Sequence, residues 1–318
     1  MSEQTIATND RAVQFVETFG GPEVLRVSHV PTPEPGPGQL RVKVTAAGLN
    51  PMDWFMTSDA AIAARFGLSL PSGFGTDYAG VIDGIGNDVS GFAIGDRVFG
   101  GALSRTVADH VIVAAGGTIA VGGDAHHTPE GVDDRTASTL SIAGCTAAAA
   151  MAVVRPRRGE TVLIGGAGGG VGVFAVQLAV LAGARVIGTG SAASADALRA
   201  LGAEPVTYGE GLADRVRAMA PGGVDAAMDL HGTDTALVAR ELGVQDARIT
   251  LIAAQIPGIT SANGANAEPG AIENIARLVA QGSIRIPIAA TFPLDEVRAA
   301  VELQSGRHVH GKVVVEVR

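Results

Sequence analysis

The run TVLIGGAGGGVGVF, from Thr161 to Phe174, constrains this chain more than any other stretch. An apolar strand, Thr161 to Ile164, enters a segment in which six of eight residues are glycine, and an apolar-periodic helix follows with Val173, Phe174, Val176, Leu178 and Leu181. Strand, glycine turn and helix in that order are the context in which a weak glycine pattern becomes a dinucleotide phosphate site. The register is testable. Counting G-x-G-x-x-G from Gly166 puts Val171 at the last position, and counting from Gly165 puts Ala167 at the second. Counting from Ala167 gives A-x-G-x-x-G with Gly169 and Gly172 in place. Ala167 then takes the tight turn, Gly169 lets the backbone approach a pyrophosphate, and Gly172 lets the helix pack closely on the strand. The amides of Gly170, Val171 and Gly172 begin a helix expected from Val171 to Leu181 and offer an anion both N–H groups and the positive dipole end. Gly165, Gly166 and Gly168 are read as accompanying loop.

The next strand, Arg185 to Thr189, leads into Thr189-Gly190-Ser191-Ala192-Ala193-Ser194. Sites that select NAD place Asp or Glu against the ribose hydroxyls about 20 residues beyond the turn. No carboxylate occupies this tip. Thr189, Ser191, Ser194 and open backbone accept a 2′-phosphate that a carboxylate would repel, so NADPH is expected in preference to NADH, although no Arg or Lys lies close in sequence. Asp196 is read as a solvated first-turn helix residue.

Around this unit the chain changes character twice. Residues 11–49 alternate in period two, with a Gly20-Gly21-Pro22 turn and a PTPEPGPGQ loop, and short glycine-punctuated strands continue through GFGTDYAGVIDGIG, GDRVFGG and TVADHVIVAA, with a helical DAAIAARFG between the two groups. That pattern reads as a mostly β domain over 1–128. From Asp133 helices and strands alternate: strands at Thr161 to Ile164, Arg185 to Thr189, Val206, Val224 to Leu230 and Arg248 to Ala253, with helices near Ala195 to Leu201, Ala213 to Met219 and Asp234 to Leu242. Such alternation implies a doubly wound parallel sheet over 129–282. Residues 283–318 return to a strand, a helix from Leu294 to Gln304 and a strand from Lys312 to Val317, and are expected to rejoin the first domain.

A chain of 318 residues that is 47% hydrophobic and 17% charged fills two such cores. Its formal charge of −9 argues against nucleic acid or an anionic membrane as partner. The single cysteine, Cys145, removes disulfide frameworks and multi-cysteine zinc sites and suits a reducing cytoplasm. MSEQTIATND lacks the pattern of a signal peptide. Leu140 to Val154 falls short of the ~20 apolar residues of a membrane span and reads as a buried Ala-rich helix.

FGGPEVLRV, PTPEPGPGQLRVKVTAAGLNPMDW, GFAIGDRVFG, SIAGCTA, VLIGGAGGGVGVFAVQLA, LGAEPVTY and the terminal GKVVVEV together resemble the zinc-independent quinone oxidoreductase branch of the medium-chain dehydrogenase/reductases, related to zeta-crystallin. The resemblance covers nearly the whole chain. It implies a GroES-like catalytic domain with an inserted Rossmann domain, a cleft between them, and a homodimer. It further implies that Asn50 and Thr146 lie near the nicotinamide, that Tyr208 sits beside the adenosine 2′-phosphate, and that Lys312 is a cofactor contact; Ala253, at the end of its strand, is also counted among the cofactor-binding positions. The chain departs from the pattern at Cys145, where Leu is common, and at His231, which replaces an apolar residue.

Zinc-using relatives polarise an oxygen through a bound cation held by Cys and His around an open position. AGLNPMDW carries no cysteine where those relatives place one, and His126-His127 and His308-x-His310 read as a loop pair and a strand-edge pair at the surface, so no zinc is expected. Without a Lewis acid the favoured acceptors are already electrophilic, namely quinones or alkenes conjugated to a carbonyl, and the site contributes proximity and alignment. Asn50 is placed to hydrogen-bond an acceptor carbonyl or a ribose. Tyr78 either donates a proton at the cleft or packs beneath it as a structural aromatic. Asp53 and Asp77 are expected to fix turns, Trp54 and Phe55 to form a pocket wall or core, and Cys145 to be buried packing. The sequence thus points to an NADPH-dependent reductase of quinones or activated alkenes. An enoyl or enone reductase and a non-catalytic NADPH-binding protein stand as alternatives.

Overall fold

The computed structural model describes residues 9–306 and 308–318, so the part of the N-terminal segment from Met1 to Thr8 lies outside the described residues. The chain divides into two compact units. One comprises Met1–Ile142, Ala290–His308 and Val313–Arg318, and the other Ala143–Ala289 and Val309–Lys312.

In chain order the elements are β1 (Asn9–Phe15), β2 (Arg26–Pro31), β3 (Gln39–Gly48), α1 (Pro51–Met56), α2 (Ala60–Arg65), β4 (Ser72–Gly73), β5 (Asp77–Ile85), β6 (Arg97–Gly101), β7 (His110–Ala114), β8 (His126–His127), α3 (Asp134–Ala137) and α4 (Ser141–Val154). There follow β9 (Thr161–Gly165), α5 (Gly172–Leu181), β10 (Arg185–Gly190), α6 (Ala195–Ala200), β11 (Glu204–Thr207), α7 (Leu212–Met219), β12 (Ala226–Asp229), α8 (Asp234–Glu241), β13 (Ile249–Leu251), β14 (Thr260–Ser261), α9 (Ala271–Ala280), β15 (Ile288–Pro293), α10 (Val297–Ser305) and β16 (Lys312–Glu316).

The first unit is built around β3. Its period-two pattern buries Leu40, Val42, Val44 and Ala46 on one face. One edge of β3 pairs antiparallel with β5; the other is shared, β7 taking Gln39 to Lys43 and β16 taking Ala46 to Gly48. A three-stranded sheet, β2-β1-β4, completes the β layer. Helix α1 interrupts the strands because Asn50-Pro51 supplies a helix N-cap and a proline preset for the first helical position. His126-His127, expected in a loop, instead forms a short strand against β6.

The second unit carries six parallel strands in the order β11-β10-β9-β12-β13-β14, which is the 3-2-1-4-5-6 order of a doubly wound sheet. The fold is therefore the expected α/β combination of a GroES-like unit and a Rossmann unit. Central β9 is buried from Val162 to Gly165, and Phe174, Val176 and Ala179 of α5 are buried with it. Leu163, Ile187, Ala227, Ile249 and Leu251 meet Val216, Ala236 and Ala239 in one core. Several strands end earlier than their apolar runs: β13 stops at Leu251, and Ala253 lies in the exposed bend beyond it.

Candidate functional site

The glycine turn follows β9 at the carboxyl edge of the parallel sheet, beside the point where strand order reverses. The tight turn expected at Ala167 falls one residue earlier. Gly166 holds φ at +68°, a left-handed conformation that favours glycine, whereas Ala167 stays out of that region and is fully buried. The Gly166 carbonyl accepts from Gly169 N at 3.0 Å, and Gly166 N donates to Thr189 Oγ1 at 3.2 Å. Gly172 is the packing glycine, since a Cβ there would overlap the carbonyls of both Gly166 and Ala167. At Gly169 the crowding is milder: among the described residues an added Cβ would meet the Gly166 carbonyl alone, at 3.3 Å, a tight contact but not an overlap.

Helix α5 begins at Gly172, one residue later than expected, and its first bond from outside is Val173 N to Gly169 O at 3.0 Å. Among the described residues the amides of Gly170, Val171 and Gly172 donate to no backbone carbonyl, which leaves three adjacent donors at the positive end of the helix.

Residues 309–312 run along this turn. Gly311 N donates to Gly168 O at 2.9 Å, and Lys312 N to Pro287 O at 2.9 Å. The Lys312 side chain, only 2% exposed, passes 3.2 Å from where a Cβ on Gly170 would stand. His310, read from sequence as a surface residue, is exposed, and its Nδ1 lies 2.7 Å from an equivalent position on Gly168. Asp229 has a part the sequence did not suggest. Its Oδ1 accepts from His231 N and Gly232 N at 3.1 and 2.8 Å, and its Oδ2 from Thr235 N and Ala236 N at 2.8 and 3.2 Å. This carboxylate starts α8 and holds Thr235 and His231 against Gly165 and Gly166. The signal was present in D-L-H-G-T, an Asp ahead of a turn and a helix start.

At the tip of β10 the small hydroxyl residues divide by role. Thr189 is buried and spends its hydroxyl as the acceptor for Gly166 N. Ser194 is fully buried and donates to the Ser191 carbonyl at 2.8 Å, so it shapes the turn from beneath. Ser191 remains partly exposed, and Tyr208 is 55% exposed on the neighbouring loop. Thr146 in α4 is half-buried and faces Gly264, with Oγ1 at 3.0 Å from a Cβ built there. Asp196 pairs with Arg199 at the exposed start of α6.

In the first unit a second group gathers around Asn50. Asn50 N donates to Asp53 Oδ2 at 2.8 Å, Thr76 Oγ1 donates to Asp53 Oδ1 at 2.6 Å, Asn50 Nδ2 donates to Asp77 Oδ2 at 2.8 Å, and Ile142 N donates to Asp77 Oδ1 at 3.1 Å. All four side chains are buried, and each carboxylate accepts from two donors. Asp53 and Asp77 thus fix the α1 start and the orientation of the Asn50 amide, as expected. Tyr78, next along β5, is fully buried; its hydroxyl donates to the Asp124 carbonyl at 2.7 Å, and burial, with the Asp124 charge adding to it, pushes its pKa well above the usual phenol value. Trp54 is half-buried, with its indole N–H on Gln304 Oε1 at 2.7 Å, and Phe55 is half exposed, edge-on to Phe66 at 6.5 Å.

Cys145 is half-buried in α4 rather than buried. Among the described residues no group of three or more His, Cys, Asp or Glu is arranged to hold a metal ion. No helix among the described residues is long and apolar enough to cross a membrane.

A glycine turn on a 3-2-1-4-5-6 sheet, in a chain that also carries a GroES-like unit, is the pattern of the two-domain dehydrogenase class. Residues 36–155 match the alcohol dehydrogenase GroES-like domain, and residues 201–315 match the family described as zinc-binding dehydrogenase. The structure of the quinone oxidoreductase from Coxiella burnetii is 31% identical, covers 98% of this chain and 100% of its own, and superposes with a TM-score of 0.86. Quinone oxidoreductases of Pseudomonas aeruginosa and Rattus norvegicus are 35% and 38% identical over 182 residues, which is 56% of this chain and 52% of each relative, so the matched part spans about half the length of these curated relatives. The chain belongs to the medium-chain dehydrogenase/reductase family, in its quinone oxidoreductase branch.

Proposed function

We propose that the protein is an NADPH-dependent oxidoreductase that reduces quinones or activated alkenes without a metal. The observation that carries this reading is the presence, in one unit, of an anion-ready glycine turn and a strand tip with Ser191 and no carboxylate. When bound, the reduced nicotinamide supplies the hydride. The amides of Gly170, Val171 and Gly172 receive the pyrophosphate, Gly169 leaves room for it, and Lys312 adds positive charge along the turn. Ser191 and Tyr208 take the adenosine ribose end. Asn50, held in one orientation by Asp77, hydrogen-bonds the acceptor carbonyl and aligns it. Tyr78 is assigned packing, because its side chain is fully buried and its hydroxyl donates to the Asp124 carbonyl, and the completing proton comes from solvent. A homodimer in the cytoplasm, acting on small molecules, accords with the branch and with the acidic, single-cysteine composition.

Steady-state NADPH oxidation across a panel of quinones and enones tests the reading. The expected result is acceleration by members of that panel, and NADPH binding with acceleration by none would leave only a binding protein. Ser191→Asp restores a carboxylate at the tip and is expected to weaken NADPH more than NADH. A larger loss for NADH would reject the 2′-phosphate assignment.

A further inference from the structure

The β10 tip lacks a cation close in sequence, yet the fold brings one, from another element, to the loop beside it. We propose that Arg215 is the positioning residue that sets selectivity for a ribose 2′-phosphate, by holding loop 207–210 and its Tyr208 beside Ser191. This rests on the NADPH reading above.

Strands β10 and β11 are parallel neighbours with Gly190 opposite Thr207, and Tyr208 N reaches the Gly190 carbonyl at 3.4 Å. Loop 207–210 therefore continues alongside the strand tip. Its four residues are all exposed, and Gly209 and Gly211 both hold positive φ, so little in the loop's own packing fixes its shape. Arg215, in the first half of α7, supplies what the loop lacks. Its Nε lies 3.1 Å from Thr207 O; its Nη2 lies 2.9, 3.3 and 3.2 Å from the carbonyls of Thr207, Tyr208 and Gly209; its Nη1 lies 2.8 Å from Glu210 O. One planar guanidinium gathers four successive carbonyls, a task for which its rigid fork is suited and a lysine ammonium is not.

The charge of Arg215 is also distinctive. Arg199 of α6 is paired with Asp196, and Arg217 of α7 with Asp214 and Glu241. Among the described residues Arg215 is the one arginine of these two helices that forms no ion pair. A cation near a helix start works against the helix dipole, so its position is not explained by α7 itself. It leaves net positive charge on the Thr207 carbonyl, and Thr207 is the residue paired with Gly190 at a strand tip that carries no negative charge; salt screens such a field only beyond ~10 Å. A phosphate dianion on the ribose gains from that field, and a bare 2′-hydroxyl does not.

Dissociation constants for NADPH and NADH, with thermal midpoints, are to be measured for the wild type, Arg215→Gln, Arg215→Lys and Tyr208→Ala. Arg215→Gln is expected to weaken NADPH roughly tenfold while NADH changes by less than about twofold. Arg215→Lys, which keeps the charge but not the fork, is expected to recover only part of the loss, and Tyr208→Ala to lower the same NADPH-to-NADH ratio. An unchanged ratio in Arg215→Gln, with a wild type that prefers NADPH, overturns the inference alone. A wild type that prefers NADH overturns the cofactor reading first, before any variant is considered.

Discussion

The glycine turn and the Asn50 cluster both present polar groups from buried surroundings, but they are made of different material. At the turn the donors are backbone amides, and side chains matter mainly by being absent: Gly169 presents no side chain on its face and Gly172 lets two chain segments touch. Around Asn50 the acceptors are side-chain carboxylates: Asp53 takes Asn50 N and the Thr76 hydroxyl, and Asp77 takes the Asn50 amide and Ile142 N. A backbone-built site is broken by adding atoms. A side-chain-built site is broken by removing a partner and leaving its neighbour buried and unsatisfied.

The largest effect that sharpens this contrast comes from Gly172→Val, whose side chain would be driven into the carbonyls of Gly166 and Ala167. A loss of about 3 kcal/mol or more in unfolding free energy is expected, at the upper end of overpacking effects, and denaturant unfolding measures it. Gly169→Val, three residues away, is expected to cost clearly less stability than Gly172→Val while weakening NADPH and NADH alike by at least about tenfold. Equal stability losses in the two variants would erase the distinction between packing glycine and approach glycine.

Asp77→Ala probes the other site. It strips the acceptor from Asn50 Nδ2 and Ile142 N and is expected to destabilise by about 1–3 kcal/mol, with a fall in turnover because the Asn50 amide loses its fixed orientation. Turnover and cofactor affinity measured together separate the two halves, since affinity for the pyrophosphate should hold.

The smallest effect concerns Asp109, which ties β1 to the segment before β7 through Arg11. Burial pushes this carboxyl up, but the hydrogen bonds and charge of Arg11, with Arg318 adding to them, outweigh burial and hold it below the usual carboxylate range. Its folded pKa lies below its unfolded one, so its stabilisation is fully present above the unfolded value near ~3.9 and is lost as pH falls through the folded value. Asp109→Asn is expected to lower stability at pH 7 by about 1 kcal/mol, and the gap to wild type should close in acid when unfolding is followed from pH 7 to pH 2.

Much of this was legible in the sequence because it is local. Period-two alternation found β3, the strand-turn-helix order found β9 and α5, and the A-x-G-x-x-G register found Gly169 and Gly172, each from residues adjacent in the chain. The tight turn falls one residue before the position that the spacing implies, because a pattern of spacings does not reveal which residue takes positive φ: Gly166 does, and Thr189 from the next strand accepts its amide. Ser194 looked like a ligand from its place in the strand tip, yet its hydroxyl turns inward to Ser191 O.

By itself, then, the sequence determined the alternation of elements, the sheet class, the absence of a carboxylate at the β10 tip and the poverty of metal ligands, all properties of residue type and near spacing. Only the tertiary structure decided which groups meet across long separations: Asp77 with Asn50 and Ile142, Lys312 and His310 with the glycine turn, and Arg215 with the loop that carries Tyr208. Those contacts depend on strand order and on the direction in which each side chain leaves its element, and no one-dimensional pattern contains either.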